Sequence, residues 1–147
     1  MAARLAIQES AYVLSVEQDG IRQELAFPEG GASSLLAPRR SVDEGGLERA
    51  IEIAEDWLMP HAFSLRGAVL QVHDTTGRLT SGLEHVLSES ARTWRLDEFE
   101  RLFLRLVDLA LGRHPPVALQ SQQAFTADIL LIRELSHHGQ VQEIRLM

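Results

Sequence analysis

The sequence predicts an α+β domain: an antiparallel sheet built on an N-terminal β-hairpin, with helices packed on one face. Three observations predict it. An Asp19-Gly20 pair lies between two alternating apolar segments, and helical periodicity recurs from residue 47 onward. The third is size: 147 residues, 45% of them apolar, fill one core and give a single domain over 1–147.

The hairpin joins Tyr12–Gln18 to Ile21–Phe27. Asp-Gly supplies the two positive φ angles of a type I′ turn, which fixes the register. Tyr12 then faces Phe27 and Leu14 faces Leu25 on an apolar side, with Glu17 against Arg22 on the other. Residues 28–42 read as a loop carrying Gly30-Gly31 and Arg39-Arg40, pinned by Leu35-Leu36. Leu47–Met59 is an amphipathic helix, with Leu47, Ala50, Ile51, Ala54, Trp57 and Leu58 on one face and Pro60 at its end. Ala68–His73 is a strand by its β-branched content, and Asp74-Thr75-Thr76-Gly77 is the turn that closes it.

The C-terminal half reads mostly as helix. Ser81-Gly82-Leu83-Glu84 fits a capping box for a helix to about Ala91. Asp97 starts a second helix that ends at Gly112, and Thr126 a third that ends at about His137; Val141–Leu146 alternates weakly as a last strand. The polar residues of helix 97–111 fall in one narrow stripe at 98, 101, 105 and 108. Apolar side chains on several sides make it a central core helix or an interface, and a homodimer is expected.

The residue types that are missing exclude whole chemistries. There is no Cys, Lys or Asn, and all 14 basic residues are Arg, as a GC-rich bacterial genome would produce. Thiolate catalysis, Cys-ligated zinc, Schiff bases and the phosphate-binding loop Gly-Lys-Ser/Thr are therefore out. A net charge of -7 argues against nucleic acid, which needs a basic face. No apolar run is long enough to span a bilayer, no secretory signal is read, and a cytoplasmic location is expected.

Several constellations bear on chemistry. The strand ending at His73 runs into Asp74-Thr75-Thr76-Gly77-Arg78-Leu79-Thr80. This stretch resembles the phosphorylated-aspartate motif of P-type ATPases and haloacid-dehalogenase phosphatases, which implies Asp74 as nucleophile. No Lys follows to neutralise a phosphoryl group, and Thr76 stands where those families place a second Asp. A turn closing a strand is therefore the reading adopted. His73-Asp74 also resembles the dyad of HD-type metal phosphohydrolases, but neighbouring strand residues point to opposite faces.

Glu134, His137 and His138 stand at helical spacing that can ligate a metal, although cationic residues in a last turn also answer the helix dipole. His85 with Glu89 is a similar pair, and His61 and His114 stand alone beside prolines. Glu52, Glu55, Asp56, Glu98 and Asp108 fall on outward stripes. No metal, cofactor or catalytic residue is assigned. Whether His73, Asp74, Glu134, His137 and His138 converge is a question of tertiary structure.

The function expected from these exclusions is a non-catalytic bacterial interaction protein: an adaptor, a small chaperone or inhibitor, or an accessory subunit. The alternative is a small His/carboxylate-dependent enzyme or ligand-binding domain, with or without a metal.

Overall fold

The sheet begins one strand earlier than the hairpin. Ala2–Ile7 forms strand β1, with Ala3, Leu5 and Ile7 buried in alternation. The computed structural model describes residues 2–28, 30–37, 41–115 and 123–147. Arg39-Arg40, expected in a loop, lies outside the described residues. The expected hairpin follows as β2 (Tyr12–Gln18) and β3 (Ile21–Ala26). Its register pairs Leu14 with Leu25 and Glu17 with Arg22, and Phe27 N donates to Tyr12 O at 2.9 Å. Asp19 and Gly20 have φ of 54° and 76°, the two positive values the turn requires. Gly20→Val is expected to lower stability by more than about 1 kcal/mol, because a β-branched residue is strained at positive φ although space is open around it. A denaturant midpoint equal to that of the parent would refute this.

A one-turn helix, a long helix and a 3-10 segment lead back to the sheet. Helix α1 (Ala32–Leu35) interrupts the expected loop, with Leu35 and Leu36 buried as anchors. Helix α2 (Glu44–Leu58) starts where Asp43 Oδ1 accepts from Gly46 N at 2.6 Å. A 3-10 segment (Met59–Leu65) then turns the chain into β4 (Val69–Asp74). Beyond β4 come α3 (Arg78–His85), β5 (Thr93–Trp94), α4 (Leu96–Ala110), α5 (Gln123–Gly139) and β6 (Glu143–Leu146).

The six strands lie in the order β3-β2-β1-β4-β6-β5. β1 pairs with β4, and β4 with β6, in parallel; the other pairs are antiparallel. The sheet is therefore mixed, which corrects the antiparallel expectation. The cause is connectivity: parallel neighbours need long crossovers, and the helices between β3, β4 and β6 supply them. Leu5, Ile7, Leu14, Leu70, Val72 and Ile144 line the covered face, whereas Arg4, Glu17 and Arg145 on the other face are exposed.

The five helices among the described residues pack on the covered face, and α5 is the one at the centre. It touches α1, α2, α3, α4 and the 3-10 segment, and its residues from Phe125 to Ile132 are all buried. This corrects the first of the two readings of helix 97–111, that of the central core helix. In α4 only one side is buried, through Phe99, Leu102, Phe103, Leu106 and Ala110, while Leu104 and the capping Leu111 just past its end are 51% and 42% exposed. Among the described residues, no helix is long and apolar enough to cross a membrane.

Candidate metal centre

Helical spacing on α5 puts Glu134 and His138 on one face, one turn apart. That face meets α2, whose Leu47, Ala50, Ala54 and Leu58 are buried while Glu55, next in sequence to Ala54, lies at the edge of the contact. The three side chains converge there, with ligand atoms all within 4.8 Å of one another. His138 Nε2 lies 3.1 Å from Glu55 Oε1 and 3.1 Å from Glu134 Oε2. The hydrogen bond of that nitrogen goes to Glu55. Glu134 Oε2 is thus a fully buried carboxylate oxygen with no hydrogen bond, aimed into the cluster. Burying a carboxylate oxygen without a hydrogen bond is costly, and a bound cation is one standard way to offset that cost.

The two spacings from His138 also suit an ion. Two ligand atoms each about 2.0–2.2 Å from one cation lie roughly 3.0–3.5 Å apart at tetrahedral or octahedral angles. Two carboxylates and one imidazole form a donor set for a divalent metal, and three protein ligands leave a position open to substrate or water. The side chain of Glu55 is 40% exposed and that of Glu134 is fully buried, so the open side faces solvent beside Glu55.

Arg133 backs the cluster. Its Nη1 donates to Glu134 Oε1 at 2.7 Å, while Nε and Nη2 donate to Glu100 Oε2 and Oε1 at 2.8 and 3.1 Å. The guanidinium also lies 5.2 Å from the Phe103 ring centre. The hydrogen bonds from Arg133 hold the Glu100 carboxyl below its ordinary range. Arg133 and Glu100 also wall a groove of about 270 Å³ between α4 and α5, with Leu96, Phe99 and His137.

The residues singled out in the sequence separate here. Glu134 and His138 belong to the cluster, and His137, exposed, turns instead toward the groove. Glu55, read as part of an outward stripe, is the member of the cluster that sequence periodicity missed; no local signal ties it to a residue 83 positions away on another helix. Asp74 is committed elsewhere. Its Oδ1 accepts from Thr76 N and Oγ1 at 2.9 and 2.6 Å, and its Oδ2 from Leu79 N at 2.8 Å, so it starts α3. His73 is on the uncovered face of the sheet, opposite in direction to buried Val72, and desolvation followed by the Arg4 charge pushes its pKa down.

A second buried group of charges is internally satisfied. Tyr12 Oη donates to Asp128 Oδ1 at 2.6 Å, and Arg78 donates to both Asp128 oxygens at 2.8 and 2.9 Å. Burial pushes the Asp128 carboxyl up to about 6 against the opposing pull of Arg78. The group ties β2, α3 and α5 together.

This architecture is one that known enzymes possess. The chain superposes on an Aquifex aeolicus PPX-GPPA enzyme with a TM-score of 0.64 and 11% identity, covering 99% of this chain and 52% of that one. It superposes equally on the Aquifex aeolicus Ppx/GppA phosphatase in its type II variant (TM-score 0.65, 10% identity, 99% and 52% covered) and on an Aquifex aeolicus member of the Ppx/GppA family (0.65, 9%, 99% and 51%). The likeness is one of fold, and the chain spans about half the length of these structures. No family model and no curated protein matches the sequence.

The expectation of a non-catalytic interaction protein is corrected by these two findings. The fold is that of solved enzymes, and the chain gathers two carboxylates and an imidazole at one point within it. Both favour the His/carboxylate-dependent alternative and argue against the leaning away from an enzyme. Exclusion misled because this donor set has no contiguous motif.

Proposed function

We propose that the chain is a His/carboxylate-dependent catalytic domain that works with a divalent metal on a phosphoryl substrate. The observation that carries the metal is the convergence of Glu55, Glu134 and His138 around a buried carboxylate oxygen that makes no hydrogen bond. The phosphoryl class is supported by the likeness of fold to the Ppx/GppA phosphatase. Glu55, Glu134 and His138 would hold the ion. When bound, it would supply Lewis-acid stabilisation of charge developing on a phosphoryl oxygen. Arg133 fixes the orientation of Glu134, and substrate would approach from the solvent side beside the partly exposed Glu55.

Thermal melts with Zn²⁺, Mn²⁺ and Mg²⁺, alongside hydrolysis of p-nitrophenyl phosphate, test this. An ion at a hundredfold excess over its Kd adds about 2.7 kcal/mol, which reads as a rise of several degrees in Tm. Glu134→Gln is expected to abolish both the rise and the hydrolysis. If no ion shifts the parent protein's melt, the metal reading fails.

We further propose a homodimer through α4. Leu104 and Leu111 are exposed one heptad apart with Val107 half-buried between them, and leaving such aliphatic groups in water forgoes roughly 2 kcal/mol each. Light scattering at micromolar concentration is expected to give twice the chain mass of 16.4 kDa. A mass of one chain would refute it.

A further inference from the structure

Three donors do not by themselves say which ion they take. Magnesium and calcium prefer oxygen ligands alone, and calcium often takes a carboxylate through both oxygens to reach 6–8 ligands. Here one donor is an imidazole nitrogen, which suits zinc and its transition-metal neighbours. The second restriction comes from Arg133. By donating to Glu134 Oε1 at 2.7 Å, it occupies one oxygen and leaves Oε2 alone facing Glu55 and His138. Arg133 is itself held in place by two hydrogen bonds to Glu100, so it cannot follow Glu134 if that side chain rotates. Charge is consistent with the same picture: Glu55 and Glu134 balance a divalent cation, and Glu100 balances Arg133.

We infer that Arg133 is a positioning residue that confines Glu134 to a single ligand oxygen and so selects a small imidazole-accepting ion, Zn²⁺, against Mg²⁺ and Ca²⁺. The inference rests on the metal reading given above. It adds the identity of the ion and a residue that never touches it. Arginine suits this task because its planar fork reaches two carboxylates in fixed geometry, which the point charge of lysine does not.

The test uses the full chain freed of metal. Zn²⁺, Mg²⁺ and Ca²⁺ are titrated in competition with a chromophoric chelator, and Co²⁺ serves as a spectroscopic stand-in for Zn²⁺. The parent protein is expected to bind Zn²⁺ stoichiometrically, to ignore Mg²⁺ and Ca²⁺ at equal concentration, and to give the intense visible Co²⁺ band of low coordination number. Arg133→Met is expected to weaken Zn²⁺ binding by about 10–100-fold. Its Co²⁺ band should fade as Glu134 becomes free to offer both oxygens. Arg133→Lys should not restore the band. Glu100→Gln, at a partly exposed position less exposed to folding defects, should shift it in the same direction by less.

Failure of the parent to bind any of the three ions sinks the metal reading itself. Zn²⁺ binding in the parent with an unchanged Co²⁺ band and affinity in Arg133→Met and Glu100→Gln sinks only the role of Arg133. Tighter binding of Mg²⁺ or Ca²⁺ than of Zn²⁺ overturns the selectivity.

Discussion

Asp128→Ala is expected to cost about 3–5 kcal/mol of stability, the range for removing one partner of a buried ion pair. The carboxylate is fully buried and serves three hydrogen bonds, one from Tyr12 and two from Arg78. Its loss strands a phenol that is itself fully buried, worth about 1–3 kcal/mol in desolvation alone. Arg78 adds less than a fully enclosed guanidinium would, because its side chain is 16% exposed and can turn toward water. Asp128→Asn keeps the shape and one acceptor, and should cost less. Chemical denaturation of the three proteins checks the ranking. A loss below 1 kcal/mol in Asp128→Ala would mean that the network does not join β2, α3 and α5.

The same carboxyl gives a pH signature. Burial raises its folded pKa to about 6, from an ordinary value of 3.8. The folded state therefore binds a proton that the unfolded state releases between those two values. This group's contribution to stability rises as pH falls through 6 toward 4 and is lost as pH rises through 6. Relative to Asp128→Asn, the parent should gain stability on going from pH 7 to pH 5. Parallel pH profiles for the two proteins would contradict the raised pKa.

What was legible in the sequence was what local chemistry decides. Asp19-Gly20 dictates its own turn, and the turn dictates the register of Leu14 with Leu25. Strand β1 was missed because Ala3 and Arg4 mute an alternation that only Leu5 and Ile7 announce. The central position of α5 was hidden by Asp128, Glu134 and Ser136, polar residues that break its apolar run but are fully or almost fully buried. Asp128 and Glu134 are paired by side chains, and Ser136 Oγ donates to Ile132 O at 2.6 Å. The partners of Asp128 are 116 and 50 residues away, beyond any periodicity. The candidate site followed the same rule. The pair on one helix, Glu134 and His138, was visible as a spacing, and the candidate ligand from another helix, Glu55, was not.

Gly82→Ala is the second large expected effect, and it tests how tightly α3 seats on α5. In an exposed helix this change stabilises by about 1 kcal/mol through intrinsic propensity. At Gly82 a Cβ would lie 2.2, 2.3 and 2.6 Å from three atoms of the Phe125 ring. Those distances are far inside van der Waals contact, and the ring has nowhere to go because Phe125 is fully buried in α5. Overpacking of this kind costs about 1–3 kcal/mol or more when neighbours cannot shift, so steric cost outweighs propensity and the net change is destabilising. Arg78 rides on the same helix as Gly82, so lifting α3 also pulls at its hydrogen bonds to Asp128. The two sites should therefore be coupled rather than additive. Phe125→Leu in the Gly82→Ala background removes part of the clash and should recover some of the lost stability, although it costs stability alone. If Gly82→Ala melts at or above the parent temperature, α3 does not press on Phe125 as the structure has it.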